Sequence, residues 1–165
     1  MHTLVKATMV GLAGFAVIGV PPGSVQAQTA TTTTNGPRHA MSKPAHRIII
    51  QVTQNDPAVM NMALNNAENL EKFYQDKGEP FQIELVAYGA GLNIFRADTS
   101  PVKERLASIA NGSKNISFSG CGNTLANQSR QESKPISLVP EAHIVPTGIA
   151  RVVELEEQGW TYVRP

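Results

Sequence analysis

The stretch Arg47-Ile48-Ile49-Ile50-Gln51-Val52-Thr53, separated by two residues from Asp56-Pro57, decides the fold. It is a short, β-branched, nearly continuous apolar run, the pattern of a strand covered on both faces and therefore of a central parallel strand. Asp56 is placed as an N-cap and Pro57 as the first helical residue, where the missing N–H of proline is no loss. Gly78 is placed to close this helix. A strand that hands its chain straight to a long helix is the opening of a βαβ unit.

On that helix, at about 100° per residue, Val59, Met60, Ala63, Leu64, Ala67, Leu70 and Tyr74 share one face, and Met62 and Phe73 widen it. The arc is broader than contact with one sheet requires. One flank is therefore expected to pack on the sheet and the other on a neighbouring copy of the chain. Asn66 falls inside the arc, between Phe73 and Val59. A buried amide needs hydrogen-bond partners, so Asn66 is expected to tie the helix to a loop or to line an interface or a ligand site.

Outward along the chain the alternation continues. Phe81-Gln82-Ile83-Glu84-Leu85-Val86-Ala87-Tyr88 predicts a second strand, ending in the turn Gly89-Ala90-Gly91, and residues 93–99 a loop or short helix. Ser100-Pro101 opens a helix carrying Val102, Leu106, Ile109 and Ala110, which Gly112 ends. Ile116-Ser117-Phe118-Ser119 is a third strand, delivering Gly120-Cys121-Gly122-Asn123-Thr124-Leu125 and a short helix. A polar loop is expected over residues 127–134. His143-Ile144-Val145-Pro146 reads as a fourth strand, Thr147 as the cap of a helix with Ile149, Val152 and Val153, and Trp160-Thr161-Tyr162-Val163 as a terminal strand. The order implies an α/β, single-domain three-layer sandwich on a mostly parallel five-stranded sheet.

Ligands of such sheets bind beyond the C-terminal ends of the strands. The groups carried to that edge include Tyr88, Gly89, Gly120, Cys121, Gly122, Asn123, Thr147 and Gly148, which with Asn66 form the candidate site. Cys121 is the only cysteine of the chain. Placed where a strand stops and a helix starts, its thiolate would be favoured by unpaired backbone N–H groups. The alternative is a small buried hydrophobe, the commoner fate of a lone cysteine.

Toward the N-terminus the chain changes character. Lys6, the apolar residues 7–20 and the small residues around Val25-Gln26-Ala27 make residues 1–27 a signal peptide for export, with an apolar stretch too short to span a bilayer comfortably. Residues 28–45, with Thr31-Thr32-Thr33-Thr34 and almost no large apolar side chain, form a disordered linker. The folded domain is residues 46–165, and the mature protein is expected to be periplasmic or secreted, free of the membrane.

Several chemistries are disfavoured. A net charge of +1 with scattered lysines and arginines leaves no footprint for nucleic acid. His46 precedes the first strand and His143 begins the fourth, so both are expected at the sheet edge opposite Cys121, against a cysteine–histidine hydrolase. One cysteine and scattered histidines give no metal-ligand spacing, no pair of converging acids stands out, and Gly89-Ala90-Gly91 lacks the remaining elements of a phosphate-binding loop. No metal and no cofactor are expected.

Taken together, Ile48-Ile49-Ile50-Gln51-Val52, Leu64-Asn65-Asn66-Ala67-Glu68-Asn69-Leu70, Val86-Ala87-Tyr88-Gly89, Ser119-Gly120-Cys121-Gly122-Asn123-Thr124-Leu125, Val145-Pro146-Thr147-Gly148 and Gly159-Trp160-Thr161-Tyr162 resemble the DsrE/DsrF-like family. The resemblance implies a small parallel α/β fold assembled as a homo-oligomer, trimer or hexamer. It also implies that Cys121 accepts a sulfane sulfur as a persulfide and passes it on, with a sulfur donor or acceptor protein as partner. The family's relays work in the cytoplasm, whereas this chain carries an export signal. Two functions are therefore expected: a sulfur-carrier or redox-sensing thiol protein acting through Cys121, or a non-catalytic small-ligand-binding or oligomeric module in which the cysteine is structural.

Overall fold

The computed structural model describes residues 46–165. The signal peptide expected over residues 1–27 and the linker over 28–45 lie outside the described residues. Five strands, β1 (His46–Val52), β2 (Phe81–Ala87), β3 (Ile116–Cys121), β4 (Ala142–Val145) and β5 (Thr161–Val163), form one sheet in the order β4-β3-β2-β1-β5. Every pairing is parallel, so the sheet is wholly rather than mostly so. Between the strands run α1 (Pro57–Lys77), a 3-10 helix (Gly89–Phe95), α2 (Lys103–Gly112), α3 (Gly122–Gln131) and α4 (Gly148–Glu157).

Alternation along the strands sorts the core into two layers. Ile48, Ile50, Val52, Ile83, Leu85 and Phe118 face Met60, Ala63 and Leu64 of α1 and Leu106 and Ile109 of α2. Ile49 and Val86, on the opposite face, meet Val152 and Leu155 of α4. α3 lies beside the 3-10 helix, on the α1 and α2 side. Three α-helices thus cover one face and a single ten-residue helix the other.

α1 begins as expected. The Asp56 carboxylate accepts the Ala58 N–H at 2.7 Å, and Gly78 closes the helix at φ 66°, conformations that favour these two residues. The widened arc is present too: Met62 and Phe73 are half exposed in the single chain.

Other boundaries moved. α2 starts at Lys103 rather than at Ser100, because the Ser100 hydroxyl donates to the Ile94 carbonyl and accepts the Val102 N–H, holding the chain in a turn. The turn at residues 89–91 is the start of the 3-10 helix. Gly91 packs so tightly there that a Cβ would lie 2.3 Å from the Val52 carbonyl oxygen. The polar loop expected from residue 127 is helix as far as Gln131. No helix among the described residues is long and apolar enough to cross a membrane.

Candidate functional site

Chain direction locates the crevice. β3 hands its chain to α3 on one side of the sheet, and β4 hands its chain to α4 on the other. Two neighbouring strands whose connections part in this way leave a cleft between their C-terminal ends, where parallel sheets bind ligands. Cys121, the last residue of β3, pairs with Val145, the last of β4. The thiol therefore sits in the cleft, beneath the N-termini of both α3 and α4, and is 5% exposed.

The sulfur is surrounded by donors. The Thr124 N–H donates to Cys121 Sγ at 3.4 Å, making the cysteine the N-cap of α3. Thr124 Oγ1 accepts the Gly89 N–H at 3.1 Å, which leaves its own proton free for the sulfur. Burial pushes the Cys121 thiol up. Thr124, through its side chain and backbone, and the nearby backbone N–H groups of Gly148 and Asn123 outweigh burial and hold the thiol below its ordinary value.

Most of the expected site residues meet here. The Asn123 side chain donates to Thr147 Oγ1 at 2.8 Å and its N–H to the Pro146 carbonyl at 3.2 Å, tying the starts of α3 and α4 together. Gly148 lies against the Tyr88 ring, and a Cβ there would come within 2.8 Å of it. The Tyr88 hydroxyl accepts from Gln51 Nε2, and Tyr162 donates to Gln51 Oε1. Burial, and next the nearby Tyr162, raise the Tyr88 phenol above its usual value. Gly122 fits closely against Ile144 and the Val145 carbonyl.

Two expected residues stand apart. Gly120 faces the opposite layer, where a Cβ would strike Leu138 at 2.4 Å, so its smallness serves packing. Asn66 is half-buried midway along α1, on the other side of the sheet from α4, and is not brought to Cys121.

His46 is at the far edge as expected, stacked on Tyr74 at 4.2 Å and paired with Glu79. His143 is not. β4 is only four residues long, so its second residue lies mid-sheet in register with Ser119. The His143 ring is hydrogen-bonded to Ser119 at 2.7 Å, two residues short of the thiol.

That histidine belongs to a polar cluster absent from the sequence reading. Glu84, 3% exposed in the middle of β2, is held by Arg151 of α4 through two bonds of 2.8 and 2.7 Å. Ser119 donates its only proton to Glu84, so its oxygen accepts from His143 Nε2–H. Burial raises the Glu84 carboxyl, but bonds from Arg151 and Ser119 and the charges of Arg151 and His143 bring it below the usual carboxylate range. A single acid in an apolar strand gives no hint of a partner 67 residues further on.

A second polar recess, about 500 Å³, opens on the α3 side. Asn55, Asn93, Asn127 and Gln131 line it, and Thr124 is the wall it shares with the thiol.

No family model and no curated protein match the chain. Among solved structures, the fold is similar to that of a protein of unknown function, MTH1491 from Methanobacterium thermoautotrophicum. The TM-score is 0.62 at 25% sequence identity, over 73% of this chain and 99% of that one.

Proposed function

We propose that this chain is an exported DsrE-like protein that carries sulfur, or senses redox state, through Cys121. The observation that supports the reading is the convergence of two helix N-termini on one thiol. A thiolate there is held by backbone N–H groups, without a histidine or a second cysteine. With no base bonded to it among the described residues, the group is suited to accepting and releasing a leaving sulfur rather than to hydrolysis.

The reaction that fits is transfer from a persulfide donor. The Cys121 thiolate attacks the outer sulfur of R–S–SH, the S–S bond of the donor breaks, Cys121 becomes a persulfide, and R–S⁻ departs with the electron pair. Copies of the chain assemble as a trimer or hexamer, and a donor or acceptor protein docks at the cleft. Treating the folded full chain with a small persulfide donor, then measuring its mass, is expected to show one added sulfur on Cys121 and none on Cys121→Ser. Modification only after denaturation would refute the reading.

The amide-lined recess beside Thr124 supports a second reading, a small-ligand-binding module with a structural cysteine. On that reading Cys121→Ser keeps both assembly and binding.

A further inference from the structure

We infer that the half-buried ion pair of Glu84 and Arg151, with Ser119 and His143 behind it, is a positioning device for the Cys121 site. It seats the first turn of α4 beside the end of β3, where Cys121 pairs with Val145 and Asn123 is tied to Pro146 and Thr147. The inference rests on the thiol reading above and names what holds that thiol's surroundings in place.

Ser119 lies two residues before Cys121 on β3, on the same face of the strand. Its hydroxyl is bonded to Glu84. Arg151 lies three residues after Gly148, at the end of the first turn of α4, and reaches the same carboxylate with a two-pronged grip. One buried carboxylate thus joins the strand that carries the sulfur to the helix that begins beside it.

A purely structural role would not call for charge at this place. Val152 and Leu155 already pack α4 on Ile49 and Val86. Buried ion pairs add little to stability over apolar residues of similar volume. What a forked arginine–carboxylate contact adds is direction, because two parallel bonds fix the orientation of the helix as well as its distance. Contact of Gly148 with the Tyr88 ring sets how close α4 comes, and the Arg151 fork sets how it is turned.

The test is the pH dependence of iodoacetamide alkylation of Cys121 in the full chain. It is measured for the natural sequence, Glu84→Gln, Arg151→Met and Arg151→Lys, with thermal melting alongside. The natural chain is expected to titrate below its own denatured form. Arg151→Met and Glu84→Gln move the midpoint up by about one unit, roughly tenfold less thiolate on the acid side of it. Arg151→Lys keeps the charge and much of the stem but loses the fork, and recovers only part of the shift.

Should the two disruptive variants fail to fold, the midpoint of Arg151→Lys decides. A lysine variant identical to the natural chain overturns the inference. Lower melting temperatures with unchanged midpoints show a structural pair and also overturn it, leaving the thiol reading intact. A natural chain that titrates like its denatured form removes both.

Discussion

A methyl group at position 148 would lie 2.9 Å from Cβ of Tyr88 as well as 2.8 Å from its ring, so ring rotation alone gives no relief. α4 must back away, and the Gly148 N–H with it. Gly148→Ala is expected to cost about 1–3 kcal/mol, the usual range for overpacking, and to slow alkylation of Cys121 near neutral pH. Gly91→Ala makes the control. Its Cβ would meet the Val52 carbonyl at 2.3 Å, backbone that cannot yield, and its N–H bonds to the Thr53 carbonyl at 3.1 Å rather than to the thiol. Stability should fall at least as far with the alkylation midpoint unchanged. Parallel slowing in both variants would mean that the thiol merely reports global loosening.

At this scale the sequence showed Cys121 and the glycines around it, because a strand end, a lone thiol and flanking glycines are all local signals. Glu84, Ser119 and Arg151 were hidden for the opposite reason. Each is unremarkable where it stands, and only the return of the chain through α4 brings them together.

Among the elements, α3 was the least legible. Its sequence, Gly122–Gln131, is polar nearly all round and buries no side chain. Periodicity had nothing to register past Leu125, so residues 127–134 read as a loop. α1 shows the contrast, since its cap, its apolar face and its closing glycine are all written within the segment. α3 is held at its ends instead. Cys121 accepts the Thr124 N–H at the start, and past the end Glu132 engages Arg96, whose buried guanidinium also grips Asp98.

Arg96 lowers Glu132 from its ordinary 4.5 to about 2, opposed by slight desolvation and assisted by Lys134. Asp98 is lowered by Arg96 and Lys134 in the same way. A carboxyl depressed in the folded state contributes stability that is complete above its unfolded pKa and is lost as pH falls through the folded one. The Glu132 contribution should therefore disappear as pH drops from about 4.5 toward about 2. Melting curves of the natural chain and Glu132→Gln are expected to differ at neutral pH and to converge in that window. A difference that persists at the acid end would assign the effect to packing rather than charge. Arg96→Met removes the fork altogether and should speed amide exchange across α3 while sparing α1.

The described residues form a lopsided sandwich. α1, α2 and α3 lie on one face of the sheet, and α4 alone lies on the other. On the α4 side Ile149, Val153 and Tyr162 remain exposed at 52%, 47% and 38%. Ile149 and Val153 are one helical turn apart, and Tyr162 stands on β5 in register with Ile49, so these groups flank the Gln51 and Tyr88 side chains that lead to the cleft. Apolar residues gathered in this way mark association surfaces more often than bare solvent contact. β4 and β5 are four and three residues long, too short to recruit another sheet edge to edge. Copies of the chain are thus expected to meet through the α4 face as well as through the flank of α1 that leaves Met62 and Phe73 half exposed, and the α4 contact would bring a neighbour to the rim of the Cys121 cleft. Ile149→Glu with Val153→Glu places charge on that surface while leaving the buried Val152 and Leu155 in place. Light scattering on the full chain is expected to give a trimer or hexamer for the natural sequence and a smaller folded species for the pair of substitutions. If the natural chain is itself a monomer at high concentration, or the charged variant keeps the oligomeric mass, the α4 face is not the assembly surface.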